Sequence, residues 1–96
     1  MTVAEWLQKL LDLLCELYKR WGGKCEDLET DPADRVMQLN SHYQTEGPPP
    51  TSEHPKTIEV LDALDAHLAD PANSLNQNTI DVLKDLIAAL RNDCQP

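Results

Sequence analysis

Residues 2–23 read TVAEWLQKLLDLLCELYKRWGG, and the way this stretch caps its start and spaces its apolar residues decides the fold. Thr2 and Glu5 form a T-x-x-E capping box, in which each side chain takes the other's backbone amide and satisfies a donor that a helix start leaves open. Apolar residues then recur at Val3, Leu7, Leu10, Leu14, Leu17 and Trp21. Those alternating steps of four and three keep them on one helical face. Trp6, Leu11, Leu13 and Tyr18 widen the stripe on both sides, leaving a polar strip of Glu5, Lys9, Asp12, Glu16, Lys19 and Arg20. Glu5 with Lys9 and Glu16 with Arg20 stand in the favourable i,i+4 order, worth roughly 0.2–0.5 kcal/mol each. Lys19 and Arg20 suit the negative end of the dipole, and Gly22-Gly23 ends the helix. About twenty residues make a rod about 30 Å long. Its apolar surface is too wide to leave in water. It forms either the centre of a bundle or half of a homodimer, so Trp6, Leu10, Leu13, Leu14, Leu17 and Trp21 are the expected dimer or partner face.

Moving outward, residues 25–34, CEDLETDPAD, hold five carboxylates and no base. Asp31-Pro32-Ala33-Asp34 starts a helix: Asp31 is the cap, Pro32 the first helical residue, and Asp34 an acid set against the dipole. A short second helix near residues 32–44 follows, turning Ala33, Val36, Met37 and one of Leu39 or Tyr43 inward. EGPPPTSEHP, residues 46–55, cannot be helical across three successive prolines and reads as a semi-rigid linker with extended geometry.

The remainder carries an internal repeat. IEVLDALDAHL from Ile58 and IDVLKDLIAAL from Ile80 agree at six of eleven positions, offset by 22 residues. Asp70-Pro71 and ANSLNQN interrupt the copies, Asn76 can cap the second, and Leu75 can staple onto Ile80. The pattern predicts an αα-hairpin over residues 55–69 and 77–91. Its stripes are Ile58, Leu61, Leu64 and Leu68, then Ile80, Leu83, Ile87 and Leu90. Two copies fall short of a solenoid, which needs about three or more, so these are two similar helices meeting one packing problem. The expected fold is all-α: one domain over residues 1–96, a small bundle of three to four helices made of a long N-terminal helix, a short second helix and the C-terminal hairpin.

Charge narrows the function classes. Seventeen acids against eight bases give −9, which repels nucleic-acid phosphates and anionic membranes and attracts basic surfaces. Trp6, Tyr18, Trp21 and Tyr43 are the only aromatics, too few for a base-stacking platform, so direct nucleic-acid binding is not expected. Glu5, Lys9, Asp12 and Glu16 break the first apolar run, which argues against a signal peptide and a membrane span. Three cysteines, Cys15, Cys25 and Cys94, imply reduced thiols and a cytoplasmic setting. Cys15 reads as a small core residue. One bond between Cys25 and Cys94 is left open, since both fall near helix ends.

The acidic stretch fails as a calcium loop. Asp27, Glu29 and Asp31 alternate as the first ligands should, but the glycine position holds Pro32 and the bidentate-glutamate position holds Gln38. Cysteines and histidines are scattered singly, with no zinc spacing, and His67 reads as an edge residue of the hairpin. Ser41-His42 are helical neighbours that do not face each other, and Ser52 and His54 sit in the linker. No glycine-rich phosphate cradle exists. No enzyme, cofactor or metal is expected. The expected role is a small acidic protein–protein interaction module, an adapter or inhibitor that grips a protein partner through the helix 1 face or through Glu26, Asp27, Glu29, Asp31 and Asp34. Two alternatives stand beside it: a nucleic-acid-mimicking decoy that fills a basic site, and a non-catalytic subunit of a larger assembly. The absence of any base among the loop acids tilts the expectation toward a basic partner surface.

Overall fold

The computed structural model describes residues 1–95. Four helices account for most of them: α1 (Val3–Lys19), α2 (Pro32–Glu46), α3 (His54–Leu68) and α4 (Gln77–Cys94). Short 3-10 turns at Cys25–Asp27 and Thr51–Glu53 precede α2 and α3, and no strand occurs among the described residues. The all-α expectation holds.

Local chemistry sets the helix starts. Thr2 and Glu5 make both bonds of the capping box, and the bonds from Thr2 hold the Glu5 pKa below its ordinary value. Asp31 accepts from the Asp34 amide at 3.1 Å and Asn76 from the Thr79 amide at 2.8 Å, each before the helix it was expected to cap. The end of α1 comes earlier than expected. Its last amides tighten onto carbonyls three residues back, and Gly22 turns the chain at φ +85°. At Gly23 the Tyr18 ring lies where a Cβ would be, so only glycine fits. Arg20 does not pair with the Glu16 carboxylate. It bonds the Glu16 carbonyl and reaches the Glu53 carboxylate at 3.1 Å, while Lys19 takes Glu16.

α1 packs on α2 and α3, and α4 packs on the same two. The main contacts thus run in a ring, α1–α2–α4–α3, and the segment after α2 carries the chain diagonally across the bundle. That task explains the prolines, because a stiff, extended segment crosses without forming a helix of its own. Non-helical backbone is limited to residues 47–50, however, and the expected linker over 46–55 is shorter and docked. Trp21 Nε1 donates to the Gly47 carbonyl at 2.9 Å, His54 Nε2 bonds the Pro49 carbonyl at 2.9 Å, and Pro49 is buried.

One cluster of buried side chains fills the ring. Trp6, Leu10, Leu14 and Leu17 enter from α1, Val36 and Leu39 from α2, Leu61 and Leu64 from α3, and Leu83, Leu86 and Leu90 from α4. Burying each such side chain contributes about 1.5–3 kcal/mol. This corrects the expected dimer face. Trp6, Leu10, Leu14 and Leu17 are fully enclosed within one chain, Leu13 is buried beside them and Trp21 half-buried, because α2 and α3, with the shared core behind them, supply the cover that a second copy would have provided. Met1 and Val3 are the only large apolar residues left exposed among the described residues.

His67 also departs from expectation. It is buried and lies flat on the Trp6 indole, with ring centroids 4.5 Å apart. Trp6 Nε1 donates to the His67 carbonyl at 2.9 Å, and His67 Nε2 donates to the Trp6 carbonyl at 2.7 Å. The pair clasps α1 to α3. Helix α4 outruns its expected end at residue 91. Arg91 forks to Asp62 at 2.6 Å and to Asp65, fastening α4 to α3, and Asp93 accepts from the Tyr43 hydroxyl. That bond, together with burial, pushes the Tyr43 pKa up to about 12.

Candidate interaction surface

The acidic loop between α1 and α2 is held from beneath. Its chain turns at Cys25–Asp27, where the Asp27 amide bonds the Lys24 carbonyl and the Leu28 amide the Cys25 carbonyl. Leu28 is buried in the core. Cys25 is joined by a disulfide to Cys15 of α1, across a Cα–Cα distance of 5.3 Å. This corrects three expectations. The thiols were expected to be reduced, the open pairing was Cys25 with Cys94, and Cys15 was read as a plain core thiol. Instead the turn after α1 folds Cys25 back onto that helix, and Cys94 is a free, buried thiol whose pKa burial pushes up.

Two side chains of α2 complete the support. Gln38 donates from Nε2 to the Asp27 carbonyl at 2.9 Å and accepts the Glu29 amide on Oε1 at 2.7 Å. Arg35 is buried and donates from Nε to the Glu29 carbonyl at 2.6 Å and from Nη1 to the Leu11 carbonyl at 2.9 Å. Burial pulls the Arg35 pKa down while the Asp12 carboxylate pulls it up. Arg35 and Gln38 stand at i and i+3, on one face of α2 toward the loop. Sequence reasoning missed both. The signal available was this spacing directly after a charged turn, where a fork of donors and an amide can serve carbonyls that no helix satisfies.

With the backbone so occupied, the carboxylates are left over. Glu26, Asp27, Glu29, Asp31 and Asp34 are all exposed. Among the described residues none of the five joins an ion pair, since the pairs present use Glu16, Glu53, Asp62 and Asp65. Asp31 spends one oxygen on its cap. The structure gathers the acidic half of the expected site onto one loop and the first turn of α2, and withdraws the apolar half into the core.

Elsewhere, His42 sits nearly perpendicular to Tyr18 and Trp21, 5.2 and 5.0 Å away, with its Nε2 buried and without a hydrogen-bond partner. A cavity of about 460 Å³ opens between the start of α3 and the end of α4, lined by Thr51, His54, Pro55, Ile58, Cys94 and Gln95. No group of three His, Cys, Asp or Glu side chains is placed to hold a metal among the described residues. No helix described is long and apolar enough to cross a membrane. No protein-family model matches this chain, and comparison with curated proteins and with solved structures gives no match either.

Proposed function

We propose that this protein is a small acidic interaction module, an adapter or inhibitor, that presents the Glu26–Asp34 loop to a protein partner with a basic surface. One observation carries the reading: five exposed carboxylates, none in an ion pair among the described residues, stand on the loop and the first turn of α2, where the loop backbone is already anchored by Leu28, Gln38, Arg35 and the Cys15–Cys25 bond. Anchoring before contact reduces the ordering cost of binding, so weak individual charge pairs can add. With the helix 1 stripe in the core, an apolar grip loses its support and the charge carries the contact.

The decoy is the second reading, favoured by the absence of any base between residues 25 and 34. A groove shaped for phosphates accepts such an uninterrupted acidic face. The subunit reading draws less support, because the core closes within one chain. The proposal includes a cytoplasmic setting, in which a disulfide cycles rather than persists.

The test is capture from a nuclease-treated lysate followed by a salt gradient, with the triple variant Glu26→Gln, Asp27→Asn, Glu29→Gln alongside. Exposed pairs contribute about 0.2–1 kcal/mol each, so three removed carboxylates should weaken the captured partner roughly 3- to 100-fold. The melting temperature should not move, because these exposed side chains make no hydrogen bond or ion pair among the described residues. Release at moderate salt of a protein that handles nucleic acid favours the decoy. A partner retained in molar salt, or held equally by the triple variant, overturns the reading.

A further inference from the structure

We propose that the Cys15–Cys25 disulfide is a redox latch on the acidic loop, an inference that rests on the reading of that loop as the contact surface. The tethers along the loop are unevenly spread. Glu29 is held at its amide by Gln38 and at its carbonyl by Arg35, and Leu28 is buried in the core. Before them the chain is held at the Gly23 amide, which bonds the Tyr18 carbonyl, and next at the Asp27 carbonyl, which Gln38 takes. Between these points, among the described residues, the sulfur bridge is the one side-chain tie to α1, and the only other hold on Cys25 is the Leu28 amide on its carbonyl. Lys24 starts the 3-10 turn without a side-chain cap. Glu26 therefore owes its fixed direction to Cys25, and Asp27, held otherwise at its carbonyl by Gln38, owes it in part, whereas Glu29, Asp31 and Asp34 do not.

The bond is also reachable and dispensable to the core. Cys25 is half-buried and packs against the core, while Cys15 is buried within it, so the Cys25 side of the bond is the more open to a reductant. The helices are joined without it, by the Trp6–His67 clasp, the Arg20–Glu53 pair, and the Arg91 fork. A dithiol reductant opens the latch in two balanced steps. Its first thiolate attacks the Cys25 sulfur, a mixed disulfide forms, and Cys15 leaves as a thiolate that takes up a proton. The reductant's second thiolate then attacks its own sulfur in the mixed bond, releasing Cys25 as a thiolate that is protonated in turn. The reductant ends as a cyclic disulfide, having given two electrons. The two cysteines end as thiols, and the turn loses its cross-link.

The test uses the full chain, oxidised, treated with dithiothreitol, and as the double variant Cys15→Ser, Cys25→Ser. Amide hydrogen exchange at Asp27 and Leu28, the two donors of the turn, is compared with that at Leu64 and Leu86 in the core, and binding to a lysine homopolymer is measured in parallel. The expected result is exchange at least ~10-fold faster at Asp27 and Leu28 in the reduced chain and in the double variant, with Leu64 and Leu86 unchanged. Lysine-polymer binding should weaken about 2- to 10-fold, less than in the triple carboxylate variant, because Glu29 stays in place. Equal exchange in both redox states overturns the latch, as does loss of core protection together with the turn, or a bond that dithiothreitol opens only in denaturant. A turn that opens without weakening the binding removes the link to the surface. Absence of lysine-polymer binding in every form sinks the interaction reading itself, while the exchange data still decide the latch.

Discussion

Trp6→Ala is expected to lower the unfolding free energy by about 3–5 kcal/mol, a large share of the roughly 5–15 kcal/mol available to a domain of this size. The indole is fully enclosed, stacks on His67, and gives its N–H to the His67 carbonyl. Alanine removes all three contributions and leaves a void between α1 and α3 that their backbones are too constrained to fill. Trp6→Phe keeps most of the volume and loses the donor, so it should cost less. The measurement is urea denaturation followed by far-UV circular dichroism. A loss for Trp6→Ala under about 1 kcal/mol would show that the indole is not sealed between the helices.

Leu14→Asp should unfold the chain. Leu14 is fully buried, and the buried guanidinium of Arg35 is already held by the Leu11 and Glu29 carbonyls. Truncating such a leucine costs about 2–5 kcal/mol, and burying an unpaired charge adds several more. The sum matches or exceeds the whole stability of the domain. The outcome distinguishes two roles for the stripe. A helical, well-folded chain of unchanged mass after the substitution would return the stripe to an intermolecular contact. Loss of the helical dichroism signal, with urea-independent random-coil spectra, fits the enclosed core.

What could be read from the residue order was mostly local. Thr2 with Glu5, Asp31 with Asp34 and Asn76 with Thr79 meet across three positions, so helix starts follow from side chains that reach their own backbone. The α3–α4 hairpin followed from two apolar stripes around a break. Longer pairings were not legible, because they depend on which faces meet. Cys15 stands beside Leu14 and looks like any small apolar residue until the turn at Gly22 brings Cys25 back to it. His67 occupies a polar position in its own helix and is buried only because α1 lays an indole over it. For the loop, the charges were plain but their support was not. Gln38 entered the sequence argument only as the wrong residue for a calcium site, although its amide fits two backbone groups there. The helix 1 stripe was equally ambiguous: its width demanded cover, and nothing in the order of residues says whether that cover comes from the same chain.

The Trp6–His67 clasp also imposes an order of events on folding. α3 and α4 meet across a short connection, whereas the clasp joins residues 61 positions apart. Closing the longer loop costs more chain entropy, so local hairpin contacts form before α1 docks. Conservative substitutions in the α3–α4 interface should therefore give higher φ-values than Trp6→Phe, and the reverse ranking would rule this sequence out. Until α1 arrives, Leu61 and Leu64 have no cover on that side. The interval before docking is when the chain is most exposed to pairing with a copy of itself, although in the finished fold only Met1 and Val3 among the described residues leave a large apolar side chain exposed.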